Sequence, residues 1–192
     1  SKYLTHQGTQ YFKKYLDVGV CTGRYPKLLR KRPSLVRISH TIDSDRDCEL
    51  FLRRHGRADG FRLGDIREES SVDLLSQPYD LISCMLGTVS HFGLHNEEIW
   101  EGESGFERGI RNMLKSVGSE GLLLFSAWNE KAVHKGEFLP IYTDTQRLSL
   151  AKNTPNSDQI EKVIMKTREA ELYDVVSVKP SNELDIYVVR KN

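Results

Sequence analysis

The stretch Tyr15-Leu16-Asp17-Val18-Gly19-Val20-Cys21-Thr22-Gly23-Arg24 is where the chain first shows its architecture. Residues 15–18 read as a short buried strand, and Gly19 follows at once. A glycine in that place lets the chain turn tightly. The second, Gly23, lets a ligand come close to the backbone. In an open α/β sheet the ligand crevice lies outside the carboxyl ends of the strands, where this loop would sit. Two familiar glycine loops are excluded. Cys21 and Arg24 stand where the dinucleotide fingerprint G-x-G-x-x-G needs its second and third glycines. No Gly-Lys-Ser/Thr follows, as a phosphate-cradling P-loop requires. The loop therefore points to a ligand without phosphates.

Outward from this loop, strands and helices alternate. Residues 27–31 read as a short helix, with Pro26 near its first turn and Pro33 ending it. Residues 35–42 are rich in β-branched side chains and read as a second strand. Ser44 and Asp47 have the spacing of a capping box ahead of a helix over 48–55. A weak third strand, 61–63, ends at Gly64-Asp65, and a short helix is expected over 68–76. Residues 79–86 (YDLISCML) form a nearly continuous apolar run, the pattern of a parallel strand buried on both faces. Phe106, Ile110, Met113 and Leu114 fall close to helical spacing, so 106–116 reads as a helix. The turn Gly118-Ser119-Glu120-Gly121 leads into a buried strand over 122–128. A helix over 159–170 precedes two strands, 172–178 and 184–189. Those two are joined too tightly for a helical crossover and must run antiparallel. The expected class is α/β, a mostly parallel sheet with helices on both faces. Residues 129–156 are the long irregular stretch, the pattern of a lid or binding loop.

Composition sets the outer limits. The chain has 192 residues, which fits one domain spanning 1–192. Its formal net charge of +1 lacks the global field of a dedicated nucleic-acid binder, so no nucleic-acid partner is expected. Charged residues are 29% and apolar residues 38%, which is a globular balance. No apolar run approaches the roughly 18 residues of a membrane helix, so no membrane partner is expected. No amino-terminal stretch reads as a secretory leader. Cys21, Cys48 and Cys84 lie far apart with no CxxC spacing, which argues against a disulfide framework or a zinc site. A reducing cytoplasm, no bound metal and, for partners, a small-molecule substrate are the expectation. Assembly into a homo-oligomer stays open.

Two carboxylates stand at later strand ends. Asp43 closes the second strand, where it can accept hydrogen bonds from a ribose diol. Gly64-Asp65-Ile66 closes the third, where it can meet the exocyclic amine of adenine. With these on the page, the order Asp17-x-Gly19-x-x-x-Gly23, Ile42-Asp43, Gly64-Asp65 and Tyr79-Asp80-Leu81-Ile82 resembles the class I S-adenosylmethionine-dependent methyltransferases. The resemblance covers the chain from about Tyr11 to Val189. It implies a Rossmann-like, mostly parallel seven-stranded sheet with an antiparallel last strand. It also implies S-adenosylmethionine as cofactor, lying across the strand ends. By motif position, Asp17, Gly19 and Gly23 would line the methionine end, Asp43 would hold the ribose, and Asp65 with Ile66 would border the adenine. Met85 and Leu86 would lie near the sulfonium. Cys21 replaces the family's middle loop glycine.

The segment Gly87-Thr88-Val89-Ser90-His91-Phe92-Gly93 speaks to the methyl acceptor. It lacks the Asn/Asp-Pro-Pro-aromatic signature of nucleic-acid amino-methyltransferases. Cys84 follows Ser83 rather than proline, so it reads as a buried strand residue, not a cytosine-attacking nucleophile. The Gly-x-x-x-His pattern is similar to small-molecule methyltransferases. His91 would then touch substrate and act as general base, since imidazole titrates near neutrality. Trp128, His134, Phe138 and Tyr142 would wall the substrate pocket, or the insert's aromatics would form a small core of its own. The basic run Lys27-Leu28-Leu29-Arg30-Lys31-Arg32 reads as a solvated helix face. About 14 residues precede the first strand, where many relatives carry a helix that caps the substrate. The expected function is methyl transfer to a nitrogen or oxygen of a small molecule. RNA methylation and a non-catalytic S-adenosylmethionine-binding role remain the alternatives.

Overall fold

The computed structural model describes residues 12–20, 23–32, 35–68, 70–71, 78–85, 88–92, 104–128, 157–168, 173–180 and 184–192. Strand β1 runs Phe12–Val18 and helix α1 runs Arg24–Arg30. Strand β2 is Val36–Asp43, helix α2 Arg46–His55 and strand β3 Gly60–Leu63. Strand β4, Tyr79–Cys84, leads to a single helical turn, α3, at Thr88–His91. Helix α4 is Gly105–Ser116, strand β5 Val117–Trp128 and helix α5 Ser157–Arg168. Strands β6, Tyr173–Pro180, and β7, Leu184–Lys191, follow. All seven strands join one sheet in the order β3-β2-β1-β4-β5-β7-β6. Only β7 opposes its neighbours, pairing antiparallel with both β5 and β6, as the tight final connection requires.

Side chains alternate across the sheet with the period of two that strands impose. Leu16, Val18, Ile82, Cys84, Leu123 and Phe125 face the core shared with Ile110, Met113 and Leu114 of α4 and Ile160 and Ile164 of α5. Tyr15 and Leu81 face the other way, where Tyr25 and Leu29 of α1 pack with Leu122 and Leu124. Helices therefore cover both faces. Phe125 and Tyr187 are register partners on β5 and β7, and their rings stack 4.9 Å apart. Burying such a pair contributes about 0.5–1.5 kcal/mol beyond the area removed from water.

Three local expectations need correction. The cap of α2 is Asp45, whose carboxylate accepts the Asp47 N–H at 2.8 Å, so Ser44 stands one residue before the cap. The 79–86 strand ends at Cys84, because Met85 opens the turn into α3 and its carbonyl accepts the Thr88 hydroxyl at 2.8 Å. The expected turn Gly118–Gly121 lies inside β5 as an irregularity. Tyr79 pairs with Val117 but Leu81 already pairs with Leu122, so the extra β5 residues bulge out. Glu120 absorbs the distortion at a φ of 60°. Helix α4 has a capping box that sequence reading overlooked: Glu107 N–H donates to Ser104 Oγ at 3.2 Å, and Ser104 N–H donates to Glu107 Oε2 at 3.0 Å. Most of the helix expected over 68–76, and the whole 129–156 insert, lie outside the described residues. Among the described residues, no helix is long and apolar enough to cross a membrane.

Candidate functional site

Hydrogen bonds at the carboxyl ends of β1, β2 and β3 hold three loops side by side. Gly19 N–H donates to the Ile42 carbonyl at 2.9 Å, and Gly64 N–H donates to the Asp43 carbonyl at 3.0 Å. Between them opens a cleft of about 260 Å³. Val18, Gly19, Ile42, Asp43 and Ser44 form one part of its wall, and Gly64, Asp65, Ile66 and Arg67 the facing part. Thr88 and Phe92, at either end of α3, complete the lining. Four residues singled out from sequence thus meet in one place: Gly19, Asp43, Asp65 and Ile66.

Each is held there for a separate reason. Gly19 needs its lack of a side chain. Its φ is +66°, and a Cβ would lie 2.2 Å from Thr88 Cγ2. The space beside that glycine is therefore filled by the chain's own threonine. Asp43 is fixed by Asp45, whose N–H donates to Oδ1 at 2.9 Å. Asp65 is fixed by Arg67 through a paired contact of carboxylate and guanidinium. Ile66 is buried, and its carbonyl accepts Asn112 Nδ2 at 2.8 Å. Arg108 of α4 likewise donates to the Arg67 carbonyl at 2.8 Å. Helix α4 thus braces the 65–67 loop from behind.

Asp17 stands outside the cleft lining, buried at 2% exposure. It shares a row with Ser83, its register partner on β4, whose hydroxyl donates to Asp17 Oδ1 at 2.5 Å. The Tyr15 hydroxyl lies 2.5 Å from the same Ser83 oxygen. Burial pushes the Asp17 carboxyl up from 3.8 to about 7, against the opposing hydrogen bonds of Ser83 and Tyr15. The nearby Asp43 charge adds to the rise. The same burial raises the thiol of Cys84, which is fully enclosed, in keeping with a strand residue and not a nucleophile.

The remaining residues are less gathered. Gly23, also at a φ of +66°, starts α1 and packs against Leu52 of α2, where a Cβ would lie 2.3 Å away. It serves the joint between two helices and does not line the cleft. Met85 is half-buried at the start of the α3 turn, and Trp128 is half-buried at the end of β5. Neither lines the cleft. His91 is the last residue of α3, on the backbone turn beside the cleft; its side chain lies outside the described residues. Leu86, Cys21, His134, Phe138 and Tyr142 also lie outside them. Sequence reading missed Ser44, Arg67, the Ser83 link to Asp17, and Asn112. Arg67 alone had a local signal, an arginine two residues after a strand-end aspartate.

No protein-family model matches the chain, and no curated protein matches it. Solved structures do. The N-methyltransferase NodS from Bradyrhizobium japonicum WM9 superposes with a TM-score of 0.60 at 16% identity, covering 95% of this chain and 87% of that one. An S-adenosylmethionine-dependent methyltransferase from Clostridium acetobutylicum gives 0.68 at 12% identity, over 95% and 85%. The chain has the methyltransferase fold. The plantazolicin methyltransferase BamL, solved with a triazolic desmethylPZN analog and S-adenosylhomocysteine, shares that fold at a TM-score of 0.71 and 11% identity, over 94% and 77%. Within the methyltransferase fold, the cleft described above lies over the ends of β1 to β3.

Proposed function

We propose that this chain is a methyltransferase that binds S-adenosylmethionine and passes its methyl group to a nitrogen or oxygen of a small molecule. The observation that carries the reading is the meeting of Gly19, Asp43 and Asp65 in one cleft at the strand ends of a methyltransferase fold. The side chains suit an adenosyl ligand: a fixed carboxylate to accept from a ribose diol at Asp43, a second to accept from an exocyclic amine at Asp65, and a buried apolar side chain at Ile66. At about 260 Å³ the cleft lies near the lower end of the roughly 300–1,000 Å³ of small-molecule sites. The structures of BamL and NodS with S-adenosylhomocysteine agree with that choice of cofactor.

The cofactor supplies an electrophilic methyl on a sulfonium. The chain's task is alignment and the exclusion of water, since displacement at that carbon needs nucleophile, methyl and sulfur in line. Asp43, Asp65 and Ile66 would hold the adenosyl end. His91, on α3 beside the cleft, would take the acceptor's proton where the acceptor must lose one. Trp128, His134 and Tyr142 would wall the acceptor, with 129–156 as a lid. The chain would work in the cytoplasm on a small molecule, without nucleic acid.

Calorimetry with S-adenosylhomocysteine tests the reading. Wild type should bind, and Asp43→Ala should weaken binding by about 1.5–3 kcal/mol, the scale of a lost hydrogen bond to a charged group. An unchanged affinity removes Asp43 from the site. No binding by the wild type removes the cofactor assignment.

A further inference from the structure

Arg67 is tied at every polar atom. Its Nε donates to both Asp65 oxygens, at 3.0 Å to Oδ1 and 2.9 Å to Oδ2, and Nη2 reaches Oδ2 at 2.5 Å. The Arg67 backbone N–H adds a bond to Oδ1 at 2.9 Å. The remaining nitrogen, Nη1, turns the other way and donates to the Phe92 carbonyl just past α3, at 3.1 Å. The side chains of Arg67 and Asp65 are only 15% and 21% exposed. Gly105 makes this closeness feasible: a Cβ there would lie 2.7 Å from the Phe92 carbonyl and 3.5 Å from Arg67 Nη1. The guanidinium is planar and offers its donors in a fixed fork, which an ammonium cannot copy.

We propose that Arg67 is the positioning residue that makes this cleft select a 6-aminopurine. By gripping Asp65, it fixes the direction in which the carboxylate presents its oxygens. By holding the Phe92 carbonyl, it joins α3 to the same rigid wall. The proposal rests on the reading above, in which Asp65 borders the adenine. A carboxylate held as an acceptor takes an N–H from a 6-amino group and opposes the lone pairs of a 6-oxo group. A carboxylate able to turn escapes that opposition and admits water. Loss of Arg67 therefore lowers selectivity, beyond any loss of affinity.

The test is calorimetric binding of S-adenosylhomocysteine and its 6-oxo counterpart, S-inosylhomocysteine, to wild type, Arg67→Gln and Arg67→Lys, with thermal unfolding to establish that each variant is folded. Wild type should favour the amino ligand by about 100-fold or more, since a site built to accept an N–H rejects a partner that lacks it. Both variants should cut that ratio about tenfold, lysine included, because charge without the fork does not fix the carboxylate. Arg67→Lys keeps the charge and the stem, and decides the matter if Arg67→Gln does not fold. A merely structural role would weaken both ligands together and keep the ratio. An unchanged ratio in a folded variant, or a wild type that binds both ligands equally, overturns the proposal and leaves the cofactor assignment standing. A wild type that binds neither ligand ends both.

Discussion

Replacing Asp17 with asparagine should make the protein more stable in mild alkali while changing little in mild acid. The carboxyl is buried beneath the β1 loop and is raised from 3.8 to about 7, chiefly by desolvation. Between those values the native chain keeps a proton that the unfolded chain has released. Stability from this group therefore falls as pH rises through that window, and the loss is complete above about pH 7. At 1.36 kcal/mol per pH unit the whole difference is about 4 kcal/mol. From pH 5 to pH 8 the wild type should lose about 3 kcal/mol of it. Asparagine keeps an oxygen to accept the Ser83 hydroxyl and carries no charge, so the variant escapes the loss. Urea unfolding of both proteins at pH 5, 6, 7 and 8 isolates the group, because titrations not coupled to Asp17 cancel in the difference. A difference that stays flat over that range, or moves in favour of the wild type as pH rises, refutes the reasoning.

Three further outcomes are expected. Gly19→Ala places a methyl 2.2 Å from Thr88 Cγ2 at a positive φ, and should cost about 1–3 kcal/mol of stability, read as a lower Tm. His91→Ala should lower turnover roughly 10²–10⁴-fold with cofactor affinity unchanged, in a screen of small amines, amino acids and phenols with radiolabelled methyl donor; full activity in a folded variant leaves methyl transfer to alignment alone. Filter binding with total RNA at physiological salt should give no submicromolar affinity, and a tight, steeply salt-dependent complex would put RNA methylation ahead.

The fold was legible because its signals are local. The run 79–86 is nearly continuously apolar, and β4 is enclosed on both faces as such a run demands. Residues 179–183 are too few for a crossover, and β6 and β7 are antiparallel. Gly19, Asp43 and Asp65 were legible for a related reason: strand ends in a parallel sheet share one edge, so finding the ends finds the neighbours. What escaped lies between elements distant along the chain. Asn112 reaches Ile66 across 46 residues, and Arg67 reaches Phe92 across 25. Nothing in either segment names its partner. Ser83 touches Asp17 only because β4 lies beside β1, which the order of strands along the chain does not state. The cap of α2 was misplaced by one residue because Ser44 and Asp45 are both good capping types, and backbone angles choose between them.

The two margins of the sheet bear on how the protein behaves when concentrated. Unpaired strand margins invite strands from other molecules, and natural sheets blunt them by brevity or proline. Among the described strands β3, at one margin, has four residues. At the other, β6 ends on Pro180, which has no N–H to offer an incoming strand. The short β3 gives no long ladder, whereas β6, at eight residues, lacks a donor only at its last position. Residues inserted beside Gly60 to lengthen β3, or Pro180 exchanged for a β-branched residue, would lengthen the ladder that each margin offers to a strand from another molecule.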